Sequence, residues 1–209
     1  MHFRWRLQMT AFYSPNALVA QRASGYKNTT YALAELIDNS FDAHATNIFV
    51  VFLERRHGGR RRVDEILVYD DGSGMEPDIQ QGALQFGNTT NTDIDAVVRH
   101  KKKGKFGFGL PNASLSQCPS VHLFSWTGKT KDKNYVYLDL NEVIEKQSIE
   151  IPIVQAATLP SYYANVLPKL SSSGTIVSWR RCDRLTNTKG DTLVKSAASV
   201  LGRLYRYAL

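Results

Sequence analysis

Cysteine is nearly absent. Cys118 and Cys182 are the only two among 209 residues, they lie far apart, and neither belongs to a CxxC pair or a His-paired spacing. Such usage argues against a zinc site and suits a reducing cytoplasm, the expected compartment. Long apolar runs are missing too. No stretch approaches the ~20 residues that cross a bilayer, so no membrane partner is expected. The opening MHFRWRLQMT has neither a long apolar core nor a small-residue cleavage site, and reads as no secretory signal. Internal repeats and low-complexity linkers are lacking, which leaves a single domain over 1–209 as the expectation. Two common phosphate signatures are also missing: GxxxxGKS/T, and a GxGxxG directly after a strand.

In bulk the chain is an ordinary globular one, 43% hydrophobic and 22% charged. Its length allows a core that removes roughly 70% of the unfolded surface from water. The formal charge of +7 suits a nucleic-acid partner or a phosphate-rich ligand, and also fits a piece of a longer, more acidic protein.

One stretch organises the rest: Tyr31–Ala43, YALAELIDNSFDA. On a helix, Glu35, Asn39 and Asp42 fall at i, i+4 and i+7 and share a face. With Asp38 they fill a sector of roughly 100°, while Leu33, Leu36, Ile37, Ser40, Phe41 and the alanines take the remainder. Alone, this is equally an amphipathic helix with a solvated face. Thr29 or Thr30 is its expected N-cap. Upstream, residues 1–24 read as an N-terminal arm with a short helix that starts at Ser14-Pro15-Asn16 and ends at Gly25.

Asn47–Leu53 (NIFVVFL) is a buried strand, Glu54–Arg62 a basic hairpin loop around Gly58-Gly59, and Glu65–Tyr69 the returning strand. That strand runs into Asp70-Asp71-Gly72-Ser73-Gly74-Met75. A carboxylate there can accept a hydrogen bond from an exocyclic amine, and glycines let a flat heterocycle lie against bare backbone. The same residues also suit a plain tight turn. Pro77–Phe86 reads as a short helix. From Gly87 to Lys103 the pattern breaks into small polar and then basic residues, a mobile lid of about 87–106. Gly104-Lys105-Phe106-Gly107-Phe108-Gly109 opens the next helix, Leu110–Gln117, with Pro111 inside its first turn. Free backbone N–H groups and the positive helix end make an anion site there, and Lys103 and Lys105 add charge beside it. Ser120–Trp126, Tyr135–Leu140 and Thr175–Arg180 read as strands, 141–170 as irregular, and Asp191–Tyr207 as a closing helix.

This order of acidic-amide helix, hairpin, DxGxG, lid, GxxGxG helix and a late strand with Gly-Thr closely resembles the GHKL ATPase superfamily: gyrase, the heat-shock chaperone with an N-terminal ATPase, histidine kinases, MutL and MORC. The likeness runs from about Thr30 to Arg180. ELIDNSFDA and the Phe86-Gly87-Asn88 stretch are most similar to the MORC and MutL branch. The resemblance implies an α+β fold, a two-layer α/β sandwich of Bergerat type, with a mixed, mostly antiparallel sheet and helices on one face holding ATP. It makes Glu35 the general base, Asn39 the Mg²⁺ ligand and Asp70 the reader of the adenine amino group. Gly72 and Gly74 lie beside the base, and Thr175 completes the adenine network. Gly104, Gly107 and Gly109 form the phosphate-binding hinge, where Phe106, Phe108 and Leu110 fall as well. Asp42, Ala43 and Met75 line the pocket. Asp71 stands where an asparagine is frequent.

The implied activity is Mg²⁺-dependent ATP hydrolysis that drives dimerisation or conformational switching of a larger machine. The family's MutL, gyrase and chaperone members take a catalytic lysine from a following domain, so the chain is expected to be a fragment with slow turnover. Two other functions compete. A histidine-kinase catalytic domain usually lacks a glutamate at the Glu35 position and follows a histidine-bearing helical domain, neither of which fits here. A nucleotide-sensing DNA-binding module fits the charge of +7 and the clusters Arg55–Arg62 and His100–Lys105.

Overall fold

The computed structural model describes residues 15–85, 109–128, 133–147 and 150–207. The organising stretch lies in α2, Thr29–Asp42, which follows α1, Pro15–Ser24. Asn28 caps α2 in place of the expected Thr29 or Thr30. It is extended, with φ −113°, and its side-chain oxygen accepts the Thr30 N–H at 2.8 Å. Both threonines are buried instead. The Thr29 hydroxyl donates to Gln117 Oε1 at 2.8 Å and accepts the Thr186 N–H at 2.8 Å. These bonds tie the start of α2 to two distant parts of the chain. Pro15–Ser24, the described part of the segment read as an arm, lies on the domain. Leu18 enters the main core, and Arg22 Nε donates to the Leu115 carbonyl at 2.7 Å.

Strands β1 (Ile48–His57), β2 (Arg60–Asp70), β3 (Ser120–Trp126), β4 (Lys133–Asp139), β5 (Gln155–Ala157) and β6 (Gly174–Arg180) form one sheet in the order β1-β2-β6-β3-β4-β5. Every strand pairing among the described residues is antiparallel. The last strand in the chain, β6, is therefore central. It sets Thr175 opposite Asp70 on one side and opposite Ser125 on the other.

Both faces of the sheet are covered, which accounts for the near-continuous apolar run of β2. Ile66 and Val68 meet the helices together with Leu33, Leu36, Leu115 and Trp179. Leu67 and Tyr69 face the other way and pack with Phe124, Trp126, Ile176 and the segment carrying Tyr163 and Leu167. The helical layer also holds α3 (Pro77–Ala83), α4 (Gly109–Gln117), α5 (Leu140–Lys146) and α6 (Gly190–Leu204).

Three regions differ from the sequence expectation. The basic loop Glu54–Arg62 is mostly strand: β1 and β2 continue to a two-residue turn, where Gly58 (φ +54°) and Gly59 (φ +83°) adopt the left-handed backbone that a twisted hairpin needs. The arginines face one another across the ribbon instead of looping. Residues 141–170 are not irregular throughout. Asp139 ends β4 and caps α5, accepting the Asn141 N–H at 3.0 Å, and Glu142 pairs with Lys146 one turn on at 2.7 Å. Strand β5 and a 3-10 turn, Ser161–Asn165, follow. The helix expected over Pro77–Phe86 stops at Ala83.

Trp179 is the largest fully buried side chain, and its indole N–H donates to the Ser114 hydroxyl at 2.8 Å, joining β6 to α4. Trp179→Ala should lower unfolding stability by about 3–5 kcal/mol, read from urea denaturation, because it leaves both a cavity and an unpaired hydroxyl.

Candidate functional site

Asp70 closes β2 on the helix-facing side and is 6% exposed. Its Oδ1 accepts the Gly72 N–H at 3.0 Å, and its Oδ2 lies 3.1 Å from the Ser40 hydroxyl of α2. Burial pushes its carboxyl above the ordinary 3.8. The bonds from Gly72 and Ser40 pull against that push, and the neighbouring Asp71 charge adds to it. The site thus holds a carboxylate that is short of solvation. Ser40 was not legible as a site residue, because it counts with the non-polar side of the helix.

The glycines after Asp70 have a use the sequence did not show. A side chain on Gly72 would begin 2.8 Å from the Ala43 carbonyl and 2.9 Å from Asp70 Oδ1. On Gly74, whose φ is +69°, it would begin 2.0 Å from the Trp126 carbonyl. Both glycines let the turn press against the protein's own backbone, first on the end of α2 and then on β3. Ser73 N–H donates to the Ala43 carbonyl at 2.9 Å, and Met75 N–H to the Ser125 hydroxyl at 2.8 Å. Ser125 Oγ is in turn 3.0 Å from Thr175 Oγ1. Asp70, Gly72, Gly74, Met75, Ala43 and Thr175 therefore come together, with Ser40 and Ser125 added. Asp71 points away from them. Its carboxylate accepts the backbone N–H groups of Thr46 and Asn47 at 2.7 and 2.8 Å, and the Asn47 amide at 2.8 Å. Its carboxyl is lowered: burial opposes this, but the Asn47 and Thr46 bonds outweigh it.

Glu35 lies eight residues before Ala43, about 12 Å along the helix axis. Its Oε1 accepts the Tyr26 hydroxyl at 2.6 Å. Its Oε2 sits 2.8 Å from where a side chain on Gly109 would begin, so it rests on the first residue of α4. A carboxylate at a helix N-terminus gains from the unpaired N–H groups and the dipole there. Asn39, half-buried, follows one turn later, and Asp42 is exposed. Asp38 leaves the stripe it was expected to share: its Oδ1 is 3.1 Å from the Tyr205 hydroxyl beyond α6. Leu110 is half-buried on the main core. Lys103, Gly104, Lys105, Phe106, Gly107 and Phe108, and with them the lid, lie outside the described residues.

Among the described residues no three His, Cys, Asp or Glu side chains gather as a metal set. A single amide oxygen such as that of Asn39 suits Mg²⁺, which keeps several waters and takes its other ligands from phosphates. Nor is any described helix long and apolar enough to cross a membrane.

An α+β domain with helices laid on a six-stranded antiparallel sheet is the class that this fold defines. A family model described as "Histidine kinase-, DNA gyrase B-, and HSP90-like ATPase" matches residues 26–175, and the chain belongs to that family. Within it the relatives are of MORC and MutL kind. "ATPase MORC2" of Homo sapiens is 36% identical over 84 residues, 40% of this chain and 8% of the relative. "DNA mismatch repair protein MutL" of Paramagnetospirillum magneticum is 37% identical over 100 residues, 47% of this chain and 16% of the relative. A solved structure, "Aquifex aeolicus MutL ATPase domain complexed with ADP", is similar over 84% of this chain and 54% of its own, at 16% identity and a TM-score of 0.45. The matched stretches thus span only 8% and 16% of these two curated relatives.

The burial of Asp70 carries a stability cost that depends on pH. A raised folded-state value means the ionised carboxylate weakens the unliganded fold at neutral pH, and that this cost vanishes below 3.8. Asp70→Asn should raise the melting temperature of the unliganded domain at pH 7 by about 2–4 °C. The gain should fade as pH falls towards 3.8, measured by thermal melts across pH.

Proposed function

We propose that this chain is a single ATP-binding domain that binds ATP with Mg²⁺ and hydrolyses it. The observation that carries the reading is the meeting of Glu35 with Gly109 midway along α2, while Asp70 and its glycine turn meet the C-terminal end of α2 at Ser40 and Ala43. One rigid helix separates the two by about 12 Å along its axis.

In this reading Asp70 accepts a hydrogen bond from the adenine amino group, and Thr175, set opposite it, completes that end with Ser125. The N-terminus of α4 receives phosphate oxygens on its free N–H groups. Asn39 offers its amide oxygen to the metal, which when bound neutralises charge on the phosphates. Glu35 holds the attacking water and takes its proton. The protein does little covalent work; it positions groups and excludes alternatives. Pairing of two ATP-bound copies through the arm and the lid rests on the family alone, and both segments fall largely outside the described residues.

Glu35→Gln should cut hydrolysis by about 10²-fold or more while calorimetric ATP affinity stays within a few-fold. An affinity loss as large as the rate loss would remove Glu35 from the chemistry. Asp70→Asn should instead abolish binding of an ATP analogue, with and without magnesium.

A second function, DNA binding, is favoured by the ribbon. Arg55 faces Arg62, Arg56 faces Arg61 and His57 faces Arg60. Like charges directly opposite one another are unfavourable, so the array suits an anionic partner. Arg61 pairs with Glu54 at 3.3 Å and Arg55 with Asp64 at 3.4 Å, whereas Arg56, Arg60 and Arg62 have no acidic partner within 4.0 Å among the described residues. A cavity of about 440 Å³ lies beside them, lined by Arg60, Arg61, Arg62, Thr188 and Lys189. A two-stranded ribbon fits the major groove. Replacing Arg56, Arg60 and Arg62 with glutamine should weaken duplex binding and lower the slope of log affinity against log salt by about three. An unchanged slope would remove the ribbon from DNA contact.

A further inference from the structure

Glu35 has a hydrogen-bond partner on one carboxylate oxygen and lies close to Gly109 with the other, and the partner belongs to no motif in the chain. Tyr26 sits between α1 and α2, nine residues before Glu35, and its hydroxyl donates to Oε1 at 2.6 Å. We propose that Tyr26 is the positioning residue for Glu35: its hydroxyl fixes Oε1, which turns Oε2 towards the N-terminus of α4, where the water and the terminal phosphate must lie. The inference rests on the ATPase reading above.

A flexible side chain can fix a carboxylate only if it is itself fixed, and Tyr26 is. The backbone just before it runs hard against α4: a side chain on Gly25 would begin 2.8 Å from Ser116 Cβ. Gln117, at the far end of α4, donates its amide to the Tyr26 carbonyl at 2.7 Å and accepts the Thr29 hydroxyl at 2.8 Å. One helix therefore sets both oxygens of Glu35. Its first residue, Gly109, meets Oε2 directly, and its last, Gln117, sets Oε1 through Tyr26. A shift of α4 carries the phosphate-side N–H groups and the proton acceptor together, so their separation is preserved.

The chemistry is consistent with a donor that never becomes a competing base. Burial, and then the bond to Glu35, hold the Tyr26 phenol well above its ordinary value of 10.0. Asp38, on the next turn of α2, adds to the same push. Tyr26 stays protonated throughout the working range and keeps donating. Glutamate has three freely rotating bonds, and a general base misplaced by about 1 Å can lose about 10²-fold in rate.

The test is Tyr26→Phe in the full chain, which keeps the ring and removes only the hydroxyl. Expected are a fall of about 10- to 100-fold in kcat, with KM and the Kd of a non-hydrolysable ATP analogue within about twofold of the parent. In a Glu35→Asp background, where the shortened carboxylate no longer reaches the hydroxyl, adding Tyr26→Phe should cost less than about twofold more. Crystal structures of the parent and Tyr26→Phe should show the Glu35 carboxylate displaced from Gly109 in the variant. Parental kcat in Tyr26→Phe, equal losses of kcat and affinity, or full additivity with Glu35→Asp would each overturn the assignment. Should the parent chain hydrolyse no ATP, the ATPase reading itself falls. The position of Glu35 in the Tyr26→Phe crystal still decides whether the hydroxyl holds it, and an unmoved carboxylate overturns the inference.

Discussion

A carboxylate kept largely out of water at the end of β2 constrains everything near it. Asp70 is buried, and the cost of burying a carboxylate must be offset by hydrogen bonds. The offset comes chiefly from the Gly72 N–H and the Ser40 hydroxyl, which belong to different elements, with the Thr175 backbone adding to it. Satisfying both forces the turn after β2 to lie against α2 so closely that no side chain fits at Gly72. The next contact, Gly74 against the Trp126 carbonyl, anchors the turn to β3. A need for one hydrogen-bonded charge thereby sets the spacing of a helix and two strands.

The middle of α2 is built by the same logic with different parts. Glu35 is paired with a hydroxyl from the preceding loop and with the start of α4, and again a glycine permits the approach. α2 is held along its length from outside as well. Asn28 caps its start, Thr29 ties that start to Gln117 and Thr186, and the Tyr205 hydroxyl reaches the Ala34 carbonyl at 3.0 Å and Asp38 at 3.1 Å. A helix fixed at so many points holds Glu35 at a set distance from Ser40 and Ala43.

Much of this was legible from local pattern. The helix with its acidic-amide stripe, the strands around NIFVVFL and EILVY, and the glycine-opened helix at Leu110 follow from periodicity and turn chemistry, and the structure places them within a few residues of those bounds. What escaped was decided by partners distant in sequence. Asp38 and Asp42 look alike in the stripe, but only the position of Tyr205 determines that Asp38 turns away. Thr29 is as good a cap as Asn28 until Gln117 and Thr186 claim it. Tyr26 carries no pattern at all, since its role depends on where α4 passes. The seven-residue α5 is too short for a period to emerge, although Asp139 followed by Glu142 is a usable start signal. The glycines of DxGxG were legible as necessary, and the structure adds that they let the turn lie against the protein's own backbone.

The position of β6 has a consequence for how the molecule comes into being. This strand is made near the end of the chain yet occupies the middle of the sheet, between β2 and β3. Until residues 174–180 have left the ribosome, β2 and β3 have no strand to bridge them, and each exposes an open edge rich in apolar residues. Pairings at such sequence separation are slow to form and vulnerable while they wait. The growing chain thus passes through a long interval in which its sheet exists only as the β1–β2 hairpin and a separate three-stranded β3–β4–β5 unit, a natural interval for chaperone engagement.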